Sequence, residues 1–291
     1  MIEASFYEGL ENQAVSCQLC PHFCQIKPDQ VGICKVRKNV AGKLYSMNYG
    51  VVSAAALDPI EKKPLYDFYP GSHIFSIGSV GCNLKCVFCQ NWQIATACDE
   101  AVRNADKNIP PEAILDAALK LVPNGNIGVA YTYNEPTVWF EYMRDIAALV
   151  KENNLKNVMV SNGFINPDPL NVLLELIDAF NIDLKGYSND FYKRMTKSEL
   201  DPVLRTLETI ARNGNHLEIA YLVIPGENDD PKKFREITEW LKEHVGENAT
   251  LHINRYFPNY KLQTPPTSLE SLHELADIAK SLLPRVHIGN V

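Results

Sequence analysis

Three cysteines on one short stretch carry the strongest chemical signal in this chain. Cys82, Cys86 and Cys89 follow the spacing C-x3-C-x2-C, and Phe88 stands just before the last thiol. Three thiolates on one loop can hold three irons of a [4Fe–4S] cluster, and the fourth iron then has no protein ligand. Because a cluster that only carries electrons is normally closed by four cysteines, the spacing predicts a cluster with one iron open to chemistry.

Other uses of these thiols fit the spacing less well. Structural zinc takes four ligands, commonly as pairs of thiols two to four residues apart, and Cys98 is the only nearby candidate for a fourth. The sequence shows no secretory signal, so free thiols are expected rather than disulfides. The plain alternative is three reduced cysteines that bind nothing.

A second group of cysteines lies near the start of the chain. Cys17, Cys20, Cys24 and Cys34 place four thiols within 18 residues, which is enough for a closed ligand set. Such a set satisfies a tetrahedral zinc ion or a second [4Fe–4S] cluster, and the sequence leaves both open beside a metal-free cysteine-rich loop. A second cluster would relay electrons to the first, whereas a zinc ion would only stabilise the local fold. His22 is an alternative ligand, although a histidine in a loop more often faces solvent.

The motif C-x3-C-x-φ-C, in which φ is aromatic, resembles the signature of the radical S-adenosylmethionine (radical SAM) enzymes. The resemblance implies that Cys82, Cys86 and Cys89 hold the cluster, and that its open iron binds the amino and carboxylate groups of S-adenosylmethionine (SAM). One electron from the cluster then cleaves the C5′–S bond of SAM and yields a 5′-deoxyadenosyl radical. The resemblance also implies that Phe88 lies against the adenine and that the backbone near Asn91 hydrogen-bonds it.

A second motif occupies residues 131–136, whose sequence is Y-T-Y-N-E-P. Many radical SAM enzymes have Gly-Gly-Glu-Pro at this point and bind the amino group of SAM with it, so the resemblance implies SAM contacts for Asn134 and Glu135. A carboxylate beside an ammonium group is also favourable in a dry pocket. Tyr133 and Asn134 replace the two glycines. The alternative role for Glu135 is a carboxylate at a helix start, just before a proline.

Three further segments resemble the pyruvate formate-lyase activating enzymes within this superfamily. They are S-N-G-F at 161–164, D-L-K at 183–185 and V-I-P-G at 223–226. In those enzymes such residues contact the ribose and carboxylate of SAM, which implies the same for Ser161, Asn162, Asp183 and Lys185. The alternative for the last two is an ion pair at a strand end. Arg255 is expected to meet the SAM carboxylate or an anionic substrate.

Nearly the whole chain resembles a narrower group, the radical SAM proteins of the AmmeMemoRadiSam system. The shared features are C-x2-C-P-H-x-C with G-x-C-x-V-R-x-N near the start, Y-T-Y-N-E-P, and the final H-I-G-N-V. The resemblance implies reduced flavodoxin or ferredoxin as electron donor.

Two substrate classes follow from this resemblance. One is the backbone of a glycyl-radical enzyme, as for a glycyl-radical activase. The other is a small molecule or a different protein, such as a Memo-like or AMMECR1-like partner. The alternative from another class is a non-catalytic iron–sulfur protein for electron transfer or metal delivery.

Composition narrows the class of protein. The chain has 291 residues, of which 46% are hydrophobic, and a net charge of −7. This acidic balance disfavours nucleic acid as a partner, because nucleic-acid-binding domains usually present a basic face. No stretch approaches the ~20 apolar residues of a membrane span. Eight cysteines without a secretory signal predict a reducing, cytoplasmic compartment.

The elements that must position these residues alternate between strand and helix from about residue 72. Strands are predicted at 73–77, 127–131, 157–160, 182–184, 217–224, 250–254 and 285–288, and helices at 110–121, 136–151, 167–179, 201–213, 231–244 and 268–282. Six strand–helix units and a closing strand predict an α/β fold, a partial (β/α)6 TIM-like barrel, which the radical SAM resemblance also implies. Reactive residues then collect at the carboxyl ends of the strands. An open doubly wound sheet is the alternative, although the chain lacks a G-x-G-x-x-G turn after the first strand.

Two segments are predicted along the chain. Residues 1–71 form a small cysteine-rich, metal-binding segment followed by a strand-rich lead-in, since a stretch from Leu44 to Phe68 mixes β-formers with prolines. Residues 72–291 form the partial barrel.

Overall fold

A computed structural model describes residues 1–97, 108–246 and 249–291. Cys98, the candidate fourth ligand, lies outside these residues. Two small antiparallel sheets come first, with the strand orders β1-β6-β5 and β2-β3-β4. Their strands β1 to β6 lie at Ile2–Glu3, Tyr7–Gly9, Val15–Cys17, Gln25–Ile26, Arg37–Val40 and Lys43–Ser46.

The main sheet has eight strands, β7 to β14, which lie side by side in sequence order. Strands β8 to β14 pair in parallel, and β7 pairs antiparallel with β8 at the edge. This architecture confirms the predicted α/β partial barrel, and it adds an edge strand from the lead-in before residue 72. The strands lie at Ala54–Pro59, His73–Gly78, Asn126–Tyr131, Lys156–Ser161, Ala179–Asp183, His216–Val223, Thr250–Arg255 and Arg285–Gly289.

Helices connect the parallel strands and begin at residues suited to helix starts. Asp230 accepts a hydrogen bond from the Lys233 amide at the start of one helix, and Ser268 does the same for the Ser271 amide. No helix in the described part of the chain is long and apolar enough to cross a membrane. The α-helices α1 to α8 lie at Trp92–Ala95, Pro111–Lys120, Phe140–Glu152, Pro167–Leu176, Asn189–Phe191, Asp201–Asn213, Pro231–His244 and Leu269–Lys280.

Two predicted helices differ from the structure at one end. The helix predicted from Pro136 begins with a 3-10 turn, Pro136–Trp139, before α3. The helix predicted to reach Ala179 ends at Leu176, and Ala179 instead opens β11 opposite Val158. Parallel pairing with β10 therefore overrides the helical pattern of the apolar residues there.

The N-terminal sheets pack on the barrel through a buried ion pair. Arg37 Nη2 lies 2.6 Å from Glu141 Oε1, and both side chains are 1% exposed. The Ser5 amide donates to the same carboxylate oxygen, and Arg37 donates to the Ser5 carbonyl. Breaking a buried pair on one side costs several kcal/mol, so this contact holds the cysteine-rich segment against α3. The boundary at residue 71 stays a prediction.

Glu218 closes the end of the barrel opposite the site described below. It lies near the start of β12, is fully buried, and accepts hydrogen bonds from the Tyr66 and Asp67 amides at 2.9 Å. His216 and His252 contact its two oxygens at 2.8 and 2.6 Å. Burial alone would raise the pKa of Glu218, but the four hydrogen bonds together lower it to about 2. One carboxylate thus ties the loop after β7 to two barrel strands.

We expect Glu218→Gln to destabilise the protein by about 2–4 kcal/mol, because the amide leaves buried donors without their acceptor. Urea unfolding at pH 7 measures this cost. Glu208→Gln, which removes a partly exposed carboxylate paired with Arg212, is the matched control and should stay within about 0.5 kcal/mol. Because folding lowers the pKa of Glu218 from 4.5 to about 2, its contribution is full above pH 4.5 and disappears as the pH falls toward 2. A wild-type advantage that stayed constant from pH 6 to pH 3 would contradict this account.

Candidate functional site

The carboxyl ends of the parallel strands surround a cavity of about 270 Å³. All three cysteines of the C-x3-C-x2-C motif line it, because β8 ends at Gly78 and runs directly into their loop. The cavity also collects every residue predicted to contact SAM except Arg255. These residues are Phe88, Asn91, Asn134, Glu135, Ser161, Asn162, Asp183 and Lys185.

Backbone contacts fix the cysteine loop on both sides. The Lys85 and Val87 amides donate to carbonyls of the turn that follows α5, at 2.8 and 3.0 Å. Gly81 has a φ of +89°, and a Cβ there would lie 2.8 Å from the Cys34 carbonyl oxygen. Only glycine therefore allows the loop to approach the N-terminal segment this closely.

The three thiols of this loop are set in low-dielectric surroundings. Burial raises the pKa of Cys82 and Cys89, and it raises the pKa of Cys86 to about 12. The nearby charge of Lys185 works in the opposite direction on Cys86 and Cys89. Cys82 Sγ also accepts the Leu84 amide at 3.3 Å. Thiols that are hard to ionise alone, yet surrounded by donors, fit ligands of a positively charged metal centre.

In neither cysteine set are the side chains gathered around one position where a single metal ion would bind. Across the described ranges, no group of three or more His, Cys, Asp or Glu side chains is placed to hold a single metal ion. Both sets line the walls of cavities instead.

Glu135 connects the ends of two neighbouring strands. Its Oε1 accepts the Thr137 amide at 2.9 Å and the Ser161 hydroxyl at 2.8 Å, and its Oε2 accepts the Asn162 amide at 2.9 Å. Burial raises the pKa of Glu135, while these hydrogen bonds act to lower it. Glu135 therefore occupies the helix-start position that was its alternative role, and it also lines the cavity. Its contact with SAM stays a prediction.

Two asparagines attach the cysteine loop to the strand ends. Asn134 accepts the Ser79 amide at 2.9 Å and donates to the Gly81 carbonyl at 3.0 Å. Asn162 Nδ2 lies 2.9 Å from Asn83 Oδ1 and 3.8 Å from Cys82 Sγ. These amides hold the loop in register with the strands, a role that the sequence did not reveal for either residue.

Tyr133, for which the sequence offered a place on the substrate side or core packing, lines the cavity. Its φ of +71° lies in the left-handed region that favours glycine, and the Gly-Gly-Glu-Pro motif that this segment resembles has glycine there. The hydroxyl donates to Asp58 at 2.7 Å, and Lys63 binds the same carboxylate oxygen at 2.7 Å. The Tyr133 carbonyl accepts the side chain of Asn91 at 2.6 Å. The replacement of Gly-Gly by Tyr-Asn was the signal in the sequence that this position is unusual. The residues that Tyr133 contacts lie about 70 positions earlier in the chain, so the sequence did not identify them.

Asp183 and Lys185 form a charged pair on the cavity wall. Lys185 Nζ lies 2.9 Å from Asp183 Oδ2, and the lysine side chain is largely buried. Burial acts to lower the pKa of Lys185, but the carboxylate of Asp183 outweighs it and raises the pKa. The lysine is thus a fixed positive charge between the thiols and Asp183, which gives the cavity a cationic and an anionic pole.

Arg255 lies in a neighbouring cavity of about 320 Å³ rather than in the first one. Its Nε donates to the Thr267 carbonyl at 2.8 Å, and its guanidinium lies 5.0 Å from the centre of the Phe257 ring. The two cavities adjoin, since four residues line both: Phe88, Gln90, Leu222 and Asn290.

The four N-terminal cysteines also come together. All of them line one small cavity, which Asn83 and Arg37 border as well. Burial raises the pKa of each of these thiols. His22 lies at the edge, where its Nε2 is 2.8 Å from the Asn83 carbonyl oxygen.

Known proteins similar to this chain fall into one superfamily. The family model for the radical SAM superfamily matches residues 76–241. An uncharacterized protein of Methanocaldococcus jannaschii is 40% identical over 293 residues, which span 100% of this chain and 86% of that protein. The pyruvate formate-lyase 1-activating enzyme of Escherichia coli is 23% identical over 168 residues, which span 56% of this chain and 66% of the enzyme.

Solved structures agree on the fold. A domain of the pyruvate formate-lyase-activating enzyme from Bacteroides vulgatus matches 56% of this chain and 99% of its own, with a TM-score of 0.50 and 20% identity. SuiB of Streptococcus suis, bound to the precursor peptide SuiA, matches 72% of this chain and 46% of its own, with a TM-score of 0.57 and 14% identity. The matched family region covers more than half of the chain and contains the three cysteines and most of the strand ends that surround the cavity, so this chain belongs to the radical SAM superfamily.

Proposed function

We propose that this chain is a radical SAM enzyme that abstracts hydrogen from a protein substrate, in the manner of a glycyl-radical activase. One observation carries the proposal: three thiols of the family motif share a single cavity with a lysine–aspartate pair at the strand ends. When bound on Cys82, Cys86 and Cys89, a [4Fe–4S] cluster supplies the electron that cleaves SAM to a 5′-deoxyadenosyl radical. Reduced flavodoxin or ferredoxin is the proposed donor, in a cytoplasmic setting.

The charged groups of the cavity match the methionine end of SAM, which carries an ammonium and a carboxylate. Lys185 offers a positive charge to a carboxylate, and Asp183 offers a negative charge to an ammonium or an accepting oxygen to a ribose hydroxyl. Glu135 keeps an oxygen with one donor, so it has a remaining lone pair for the SAM ammonium. Phe88, which is almost fully buried, presents an apolar surface to the adenine.

The second cavity supplies the substrate side of the proposed site. Arg255 borders it, and Phe257 at its edge is 49% exposed. Trp92, 37% exposed, stacks on Tyr260 nearby at 5.1 Å between ring centres. An exposed aromatic rim with one cation suits a peptide segment with an anionic group. The similarity to activating enzymes, and to an enzyme solved with a precursor peptide, supports a protein partner such as a glycyl-radical enzyme or a Memo-like or AMMECR1-like protein.

Cys86→Ala should abolish the formation of 5′-deoxyadenosine and methionine, because the cluster loses one of its three ligands. The measurement is anaerobic reconstitution, followed by dithionite and SAM, with product detection by chromatography. Cys24→Ala removes one half-buried thiol from the other set and serves as the matched control, which should keep product formation with dithionite. Wild-type protein that holds an intact cluster and yields no product would identify a non-catalytic iron–sulfur protein instead.

Lys185→Met should weaken SAM binding about 10- to 100-fold, since a charged hydrogen bond contributes about 1.5–3 kcal/mol. Equilibrium dialysis with the cluster-loaded protein gives the dissociation constant, and iron content checks that the cluster is retained. Lys156→Met is the control. It makes the same substitution in a surface pair with Asp178, and it should leave SAM affinity unchanged. An unaltered dissociation constant in Lys185→Met would remove this lysine from the SAM site.

Arg255→Met should leave both SAM affinity and the slow SAM cleavage seen without substrate unchanged, because Arg255 borders the second cavity and not the first. The same dialysis and product assays test it beside Lys185→Met. If Arg255→Met lost SAM affinity to a similar degree, the arginine would belong to the SAM carboxylate, as one sequence expectation had it.

A further inference from the structure

We infer that the N-terminal cysteines hold a second [4Fe–4S] cluster, and that this cluster passes electrons to the one on the Cys82 loop. The electron-transfer half of the inference rests on the proposed function, whereas the metal centre itself does not. Its ligands are Cys17, Cys20, Cys24 and Cys34.

The four thiols line one cavity of about 10 Å³, and in the described ranges they are not grouped closely enough to hold a single metal ion. Three are buried and Cys24 is half-buried, and the remaining wall is mostly apolar, with Leu19, Ile26 and Val138. A cube-shaped cluster binds thiolates at four separate corners, whereas a zinc ion draws all four to within about 2.3 Å of one atom. Thiols spread around an apolar wall therefore match a cluster.

The wall of this cavity carries little free charge. Arg37 is the charged side chain on its wall in the part of the chain that the structure describes, and its guanidinium is already paired with Glu141 at 2.6 Å. Four cysteines bound as thiolates would therefore have their charge balanced mainly by the metal centre itself.

A single residue separates the two cysteine sets. Asn83 borders the N-terminal cavity, and Cys82, its chain neighbour, lines the SAM cavity. The Asn83 carbonyl oxygen also lies 2.8 Å from Nε2 of His22, which follows Cys20 by two residues. The path from Cys20 to Cys82 therefore runs along Pro21 and His22, across one hydrogen bond, and through Asn83. Such proximity serves electron transfer between two iron centres, and a redox-inert zinc ion would gain nothing from it.

Exposed apolar residues lie beside the N-terminal set. Phe23 and Ile33, beside Cys24 and Cys34, are 50% and 41% exposed. An external one-electron reductant, such as reduced flavodoxin, reduces the N-terminal cluster here and is itself oxidised. That electron then moves to the cluster on the Cys82 loop, which returns the N-terminal cluster to its oxidised form. SAM accepts the electron as its C5′–S bond breaks, so the N-terminal cluster undergoes no net change.

Metal analysis of a variant without the SAM cluster tests the centre directly. The variant Cys82→Ala/Cys86→Ala/Cys89→Ala is reconstituted anaerobically, and iron, sulfide and zinc are measured per chain. We expect about four irons and four sulfides, against about eight of each in the wild type, and an iron–sulfur electron paramagnetic resonance signal after dithionite. One zinc per chain without iron would overturn the inference. This readout does not involve SAM, so its failure is distinct from failure of the proposed function.

The complementary variant Cys17→Ala/Cys34→Ala keeps the test decisive if the first variant fails to fold. Its iron should fall from about eight to about four, and the SAM-induced change in the resonance signal should persist. For the relay, the rate of 5′-deoxyadenosine formation with reduced flavodoxin is divided by the rate with dithionite, which reaches the exposed cavity directly. This ratio should fall several-fold in Cys17→Ala/Cys34→Ala. An unchanged ratio would show that electrons bypass the N-terminal centre.

Discussion

The structure depends on one electrostatic constraint, which is the free-energy cost of burying cysteine thiolates. A thiolate in a low-dielectric interior is costly unless positive charge lies beside it. The chain places one cation at each cysteine set, Lys185 and Arg37, yet each is already neutralised by a carboxylate, Asp183 and Glu141. For the set on the Cys82 loop, a bound [4Fe–4S] cluster would bring the remaining positive charge. Binding of that cluster would then also stabilise the loop.

The same constraint explains why amide side chains, rather than charges, hold the cysteine loop. Asn134 and Asn162 each act as donor and acceptor, so they connect loop and strand without altering the charge of the cavity. Glu135 adds one negative charge, but three donors surround it, and it joins the ends of β9 and β10. The strand ends are thus fixed before any ligand binds, which lowers the entropy cost of assembling the site.

Local patterns in the sequence were enough to predict the fold and to identify the three thiols of the C-x3-C-x2-C motif. The strand–helix alternation placed the parallel sheet, and the C-x3-C-x2-C spacing placed three ligands on one loop. Local patterns indicated a strand-rich lead-in but did not reveal that β7 pairs with the edge of the main sheet. They also did not reveal the partners of Tyr133 or the place of Asn83 between the two cysteine sets. Each of these depends on contacts between residues far apart in the chain, and no period or spacing encodes such contacts. Arg255 shows the same limit, since a strand end indicates the correct face of the barrel and not which of two adjoining cavities a long side chain borders.

The contacts of Tyr133 compensate for a strained backbone at a position where the Gly-Gly-Glu-Pro motif has glycine. A non-glycine residue in the left-handed region costs about 1–3 kcal/mol. The Tyr133 hydroxyl bonds to the ionised Asp58, a contact that contributes about 1.5–3 kcal/mol, and Lys63 holds that carboxylate in place and lies 4.8 Å from the tyrosine ring centre. The two energies are of similar size, so the strained backbone is maintained at little net cost. A glycine would adopt the same turn without help, but it would leave Asp58 and Lys63 without the ring that now covers them. The substitution therefore makes the shape of the SAM cavity depend on β7, the edge strand that precedes the matched family region.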